Sequence, residues 1–379
     1  MTEGGDKEFE SYDERVWLNT AHQGRLPGRA VAELEAAVRW KVTPHLLEEE
    51  DAFKQVPHRL RACLAGLLNA EPEDIVLANS ASYGLHLIAN GLDLAAGDEV
   101  VVAQNDFPSD VLPWLRLKGD GVSVRLVEPA GEVLTPEEVE AALTPRTRVL
   151  CLTWVHSFSG QILDVMKIGE LCRSNGTWFV LNGSQGVGSI PISVRELPVD
   201  ALISVGFKWL CGPYGTGFCW LRPELFEQVE PKKLYWLNAM SADELSAERL
   251  DLEAISPSRV GRHDIFGTAN FFNFVPWAAA VELILERGVQ PIFEYDQALV
   301  ARLLEGLPDS FDVISGRDPG ARSSLVVVEP LETSAEEVLA RLEDRGIICA
   351  HRRGRIRISP HLYNTEDDID RALEILRAV

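Results

Sequence analysis

The sequence is poor in several things, and each shortage narrows what the protein can be. No stretch reaches the ~18 consecutive apolar residues that a membrane helix needs, so no segment is expected to span a bilayer. Positive charge is scarce: 36 Lys and Arg stand against 58 Asp and Glu, a formal net charge of −22. That balance argues against nucleic acid and anionic membrane surfaces as partners. The six cysteines (Cys63, Cys151, Cys172, Cys211, Cys219 and Cys349) are scattered without a Cys-x-x-Cys pair. Neither a disulfide framework nor a metal site is expected from them; they read as reduced thiols of a cytoplasmic protein. The opening residues, Met1-Thr-Glu-Gly-Gly-Asp-Lys-Glu8, are polar and acidic rather than basic and then apolar, so no secretory signal is expected there. Internal repeats and low-complexity tracts are missing too.

What is present is ordinary in amount and informative in order. With 379 residues, 46% of them hydrophobic and 25% charged, the chain exceeds the size at which one core stops growing, and two unequal domains are expected. From residue 58 to about 220, helical stretches (His58–Leu68, Gly84–Gly91) alternate with short β-rich runs: Glu99–Ala103, Val122–Leu126, Arg148–Thr153, Trp178–Leu181, Ala201–Val205 and Gly217–Leu221. Such alternation predicts a mostly parallel sheet covered on both faces. Beyond residue 275 the pattern changes to a long helix (Val275–Gly288), a further helix, a strand (Ser324–Val328), a helix (Ser334–Arg345), a strand and a last helix (Thr365–Val379). That order predicts a smaller α+β domain. The expected division is an arm over residues 1–25, a large domain over 26–274 and a small domain over 275–379.

The most informative stretch is Ser204-Val-Gly-Phe-Lys208-Trp-Leu-Cys-Gly-Pro-Tyr-Gly-Thr-Gly217. A lysine at the end of an apolar β run, ahead of a turn rich in glycine and proline, is held in a partly dry setting. There its pKa falls, and its free amine can attack an aldehyde to form an imine. Upstream, the run Thr177-Trp-Phe-Val-Leu181 ends in Asn182-Gly-Ser184-Gln185, polar residues at a strand's carboxyl end, where α/β sheets carry functional side chains.

Taken together, the strand ending in Asn182-Gly-Ser-Gln185, Asp200 and the Lys208-Trp-x-x-Gly-Pro213 turn resemble the class V aminotransferases over nearly the whole chain. These are fold-type-I enzymes dependent on pyridoxal 5'-phosphate (PLP), among them cysteine desulfurases, cysteine C–S lyases and isopenicillin N epimerase-like proteins. The resemblance implies an α/β fold with a mostly parallel, seven-stranded-type sheet and a smaller α+β C-terminal domain, and Lys208 as the catalytic residue. It implies a phosphate cup at Ser80, Ala81 and Ser82, where Asn79-Ser-Ala-Ser82 opens a helix after Ile75–Ala78. The segment Asn105-Asp-Phe107-Pro-Ser-Asp-Val-Leu-Pro113-Trp114 is similar to the family's Glu-His-His-Ala-Asn-x-x-Pro-Trp. Phe107 thereby takes the place of the histidine that stacks on the cofactor ring; an aromatic still packs there but moves no proton.

In the family the turn Trp154-Val-His156-Ser157 supplies a contact near the cofactor's phenolic oxygen, with Ser157 favoured over His156, and Ser184 and Gln185 belong to the same group of cofactor contacts. Gly267-Thr268-Ala-Asn270 matches the turn that reaches a neighbouring subunit's phosphate, which implies a homodimer with shared sites. Arg355-Ile-Arg357-Ile-Ser resembles the family's carboxylate-binding signature, with Arg357 as the bidentate fork for a substrate carboxylate. His22 and Gln23 occupy a substrate-facing loop.

Asn182 departs from the family, which has aspartate there to hold the pyridine nitrogen protonated. A carboxylate about 3 Å from that nitrogen would favour the cation by roughly 5 kcal/mol at an effective dielectric near 20. With asparagine, either the reaction needs a weaker electron sink or the position has been altered. A persulfide-forming role is not expected, because Cys349 precedes Arg357 inside an apparent strand (Gly346–Ala350) rather than on a loop. The expected reaction is C–S bond cleavage by β-elimination from a cysteine-derived substrate, possible in secondary metabolism. Decarboxylating oxidative deamination of an S-substituted cysteine, epimerisation and amino transfer remain open, as does a catalytically silent PLP-fold binding protein.

Overall fold

The computed structural model describes residues 7–9, 15–49, 51–240, 242–252, 258–318 and 321–379. Much of the predicted arm over residues 1–25 therefore lies outside the described residues, which in the arm are 7–9 and 15–25. In chain order the strands are β1 (Val16–Trp17), β2 (Ile75–Ala78), β3 (Glu99–Ala103), β4 (Ser123–Val127), β5 (Thr147–Thr153), β6 (Trp178–Asn182) and β7 (Ala201–Val205). They continue with β8 (Gly217–Leu221), β9 (Phe311–Val313), β10 (Val326–Pro330), β11 (Ile347–Ile348), β12 (Ala350–Arg352) and β13 (Arg355–Ile358).

Seven of them form one sheet in the order β2-β8-β7-β6-β5-β3-β4. Neighbours from β7 through β4 run parallel, whereas β8 is antiparallel to both β2 and β7. Every residue of β2, β3, β7 and β8 is buried, as befits a sheet whose two faces are both covered. One face packs under the helices Gly28–Val42, Ala52–Leu68, Val165–Asn175 and Phe271–Arg287. The other packs under Ala81–Gly91 and Pro108–Arg116. Helix Ala52–Leu68 buries Val56, Leu60, Leu64, Leu67 and Leu68, the spacing of a single apolar stripe. It starts well before the predicted His58 because Pro57 lies inside it; proline reads as a boundary in sequence but is carried here within the helix.

A second sheet, β12-β13-β10-β9, is antiparallel throughout and has its own core, built from residues such as Leu299, Val326, Val338, Ile356 and Ile369. The predicted strand Gly346–Ala350 is in fact two strands in two sheets. β11 pairs in parallel with β1 of the arm, and β12 pairs with β13. Cys349 lies between them. The arm is thus stitched to the smaller sheet, with Asn19 bridging to Ser359 and Ser359 N–H donating to the Leu18 carbonyl. Among the described residues no helix is long and apolar enough to cross a membrane.

Candidate active site

The parallel strands end along one edge of the large sheet, and that edge carries the site, as open α/β sheets require. Asn182 closes β6, Thr153 closes β5, Lys208 follows β7, and Phe107 precedes the helix Pro108–Arg116. Ser80 caps the helix Ala81–Gly91, its hydroxyl accepting from the Tyr83 N–H at 3.2 Å. The second sheet contributes Arg357 from β13 and Arg352 from β12, and the arm contributes Ala21, His22 and Gln23. These residues enclose a cavity of about 520 Å³. Close approach of three separate segments needs a glycine at one point: a Cβ on Gly24 would lie 1.9 Å from the Lys208 carbonyl oxygen.

In a chain with 58 acidic residues the cavity wall has none among the described residues, while Lys208, Arg352 and Arg357 all reach it. Burial lowers the Lys208 amine, the Arg357 charge lowers it further against the opposing pull of Asp110, and the result is about 7. At neutral pH a large share of it is free base, the form that attacks carbonyl carbon. Arg357 is only 3% exposed and is pushed down to about 10, by burial first and by Arg352 second. Its Nη1 donates to the Ser157 carbonyl at 3.2 Å, and its Nε finds no partner among the described residues. A buried guanidinium without a carboxylate is an anion site. His22 is lowered by burial and then by Arg352, Arg357 and Lys208, and so faces the cavity as a neutral ring.

Asn182 is fixed from two sides. Its Nδ2 donates to both carboxylate oxygens of Asp110, at 2.8 and 3.1 Å, and its Oδ1 accepts from the Ser184 N–H at 3.0 Å. The reverse orientation would set donor against donor and acceptor against acceptor, so the amide has one placement. Asp110 is fully buried, and burial followed by the charge of Asp106 pushes its carboxyl well above the ordinary range. Asp106 is better served: the N–H groups of Phe107 (2.7 Å) and Thr153 (2.9 Å) and the Thr153 hydroxyl all donate to it.

Most of the residues singled out in the sequence meet here. Ser80, Ala81, Ser82, Phe107, Ser157, Asn182, Ser184, Gln185, Lys208, Arg357, His22 and Gln23 all line the cavity. Phe107 is 42% exposed and lies 5.9 Å from Nζ of Lys208, measured to its ring centroid. The Ser184 hydroxyl is buried with no partner among the described residues. Gln185 is partly committed, donating to the Ala21 carbonyl and accepting from the Trp209 indole. His156 turns away, its two ring nitrogens bonded to the Ser159 hydroxyl and the Asn105 carbonyl; Ser157 is the member of that turn at the cavity. Thr268 is not at the cavity of its own chain, and its hydroxyl donates to Asn238 Oδ1 at 2.8 Å. Of the arginines in the turn after Ala350, Arg353 stacks on Phe158 and Arg355 pairs with Glu132 and Glu329, leaving Arg352 to the site.

Sequence reasoning passed over Asp110. The signal was available: aligned on Pro113-Trp114, the asparagine of the family pattern quoted above falls on this aspartate.

The family model described as Aminotransferase class-V matches residues 41–372. An isopenicillin N epimerase from Streptomyces clavuligerus is 28% identical over 386 aligned residues, covering 96% of this chain and 94% of its own. A probable cysteine desulfurase from Methanothermobacter thermautotrophicus is 25% identical over 337, covering 84% and 82%. Among solved structures, the cystine C–S lyase C-DES in complex with its reaction product cysteine persulfide superposes with a TM-score of 0.84 at 21% identity, covering 96% of this chain and 97% of its own. At that identity the likeness speaks for the fold alone.

Proposed function

The chain belongs to the class V aminotransferase family, whose members use pyridoxal 5'-phosphate, and on that premise we propose that it cleaves a C–S bond of a cysteine-derived amino acid by β-elimination. The residues present fit the cofactor: an amine shifted to about 7, an open helix N-terminus, an exposed phenyl face and an orphaned buried hydroxyl share one cavity. Lys208 would hold its aldehyde, and the N–H groups at Ser80, Ala81 and Ser82 its phosphate. Phe107 would cover its ring, Asn182 would meet the ring nitrogen, and Ser157, Ser184 and Gln185 would attend its oxygen substituents. Bound there, pyridoxal phosphate supplies an electrophilic carbon and an electron-accepting ring.

The protein's own share of the work follows from the geometry. Arg357, a buried cation lacking a counter-ion in the site, binds and orients the substrate carboxylate. Lys208, near neutrality in its pKa, takes the Cα proton and carries it onward. As the Cβ–S bond breaks, the sulfur keeps the bonding pair and leaves as a thiol or persulfide, and the remaining amino acid carbons end as pyruvate and ammonia after water is added.

The observation that carries this reading is the lack of a thiol where a sulfur-accepting cysteine would have to be. All six cysteines are described and none lines the cavity. Cys349, the one nearest Arg357 in sequence, is pushed up to about 12 by burial. Sulfur therefore departs with the product.

Epimerisation is the second reading, because the epimerase relative aligns with nearly the whole chain. We also propose a homodimer: Thr268 stands outside its own cavity, and Leu234, Trp236 and Phe266 on neighbouring segments are half exposed or more. Adding L-cystine and an S-alkyl cysteine to the holoenzyme while assaying pyruvate and ammonia tests the reading. Both products should form in equal amounts; racemised substrate without pyruvate would favour the epimerase, and oxygen uptake with carbon dioxide release the oxidative deaminase. Sedimentation at micromolar protein checks the dimer.

A further inference from the structure

Asp110 is a buried carboxylate, 0% exposed, with no cationic partner among the described residues. Its side-chain hydrogen bonds come from Asn182 and Ser109, both neutral, and the Thr153 hydroxyl 3.3 Å away is neutral too and donates to Asp106. An isolated charge at such depth is costly, yet the groove beside it is lined by cations that it does not touch. The amide of Asn182 stands between Asp110 and the cavity: Asn182 lines the wall, and Asp110 does not. Because both Asp110 oxygens accept from Nδ2, the atom that the amide can offer on its other side is Oδ1, an acceptor. Relative to the two family patterns, aspartate and asparagine have exchanged positions 110 and 182.

We propose that Asp110 is a positioning residue that works through the Asn182 amide to keep the cofactor's ring nitrogen protonated. The oriented Oδ1 accepts the ring N–H, and the charge that stabilises the cation sits one side chain further back. This rests on the reading that the cavity holds pyridoxal phosphate, and it changes the expectation drawn from the sequence: the electron sink is displaced in its support, not switched off. Burial and the charge of Asp106 favour the protonated Asp110 carboxyl, and a ring cation beside Asn182 would draw it back toward the ionised form. The Lys208 amine is the other group it acts on, and Asp106 is the group that opposes its ionisation. A unit charge about two hydrogen bonds away, at an effective dielectric of about 20, shifts the ring's protonation equilibrium roughly a hundredfold.

The test reconstitutes the full-length protein with pyridoxal phosphate labelled with nitrogen-15 in the ring and reads that nitrogen by NMR. The wild-type signal should be that of a protonated ring. Asp110→Asn should move it toward the unprotonated position, and the exchanged double variant D110N/N182D should return it. An unprotonated wild-type ring, or a D110N signal that matches wild type, overturns the proposal. If D110N does not fold, the wild type and the double variant decide: both should be protonated, and an unprotonated ring in the wild type alone would mean that the amide relay fails. Borohydride reduction followed by mass analysis of the Lys208 peptide reports cofactor attachment independently of ring protonation. No adduct would sink the cofactor reading itself, a different failure from an attached but unprotonated ring.

Discussion

Two groups of buried charge, one bonded to the Trp209 carbonyl and one at the cavity, are handled in opposite ways. His361 and Asp296 are both 0% exposed and paired with each other: Nδ1 lies 2.8 Å from Asp296 Oδ2 and Nε2 lies 3.1 Å from the Trp209 carbonyl. Nε2 faces a carbonyl and so carries a hydrogen, and Nδ1 faces the Asp296 carboxyl. Burial alone would lower its pKa, but the Asp296 charge and hydrogen bond override that and push it up to about 10. Lys208 and Arg357, at the cavity, have no such carboxylate partner among the described residues and are both lowered. Paired burial fixes the backbone that carries Trp209; unpaired burial keeps the neighbouring cations available to a ligand. One arrangement is for holding and the other for binding, and their energetic signs differ.

Removing the free amine should give the largest effect. Lys208→Ala should cut kcat by roughly 10⁴-fold, the upper end for loss of a general acid–base group, and abolish the borohydride adduct, while leaving the apoprotein folded by circular dichroism. On the paired side, His361→Gln should cost about 3–5 kcal/mol of unfolding free energy, since it strands a buried carboxylate. Titrating that loss separates the two regions further. The His361 contribution is fully present below its unfolded pKa of about 6.5 and disappears as pH rises through about 10. Lys208 runs the other way: its charge burdens the native state below about 7, and the burden is relieved as pH climbs toward the unfolded value. Urea melts of apo Lys208→Met should therefore show a gain of about 1–3 kcal/mol at pH 6 that fades by pH 10; a pH-independent gain would dissolve the contrast.

Arg357→Met should raise KM for an amino acid substrate roughly 10²-fold, as a buried charge-assisted fork is lost, with little or no loss of stability. The smallest effect should come from Cys349→Ser. Turnover should stay within about twofold of wild type, because the thiol lies away from the cavity; a large loss would return a sulfur-accepting cysteine to consideration.

The sheet was legible because its strands are short, buried on both faces and punctuated: β3, β7 and β8 match the predicted runs end to end. Lys208, Asn182 and Phe107 were legible as strand-end residues in a motif. The split between β11 and β12 was not, because local sequence cannot tell which of two sheets a β-rich residue will join, and the choice is made by the arm. Asp110 was missed for a related reason. Its neighbours Asp106 and Ser109 make it look like one of several polar residues at a helix start, and only its meeting with Asn182, 72 positions away, gives it a role. Arg352 and Arg353 are adjacent and alike in sequence; the turn that sends one to the cavity and the other onto Phe158 is a tertiary fact.

The stitching of the arm to the smaller sheet has a consequence for how the protein is made. The Ala21 N–H donates to the Ser359 hydroxyl across 338 residues of chain, and Thr20 meets Tyr363 across 343. A ribosome delivers the arm first and its partners last. Once β8 is made, then, the nascent chain carries Lys208 on a finished sheet with one wall of the cavity still unmade. Emergence of β13 completes that wall, closing the most long-range contacts late, when their loop entropy falls due. Cofactor capture should accordingly switch on only once Arg357 and Ser359 are free of the ribosome and can meet the arm.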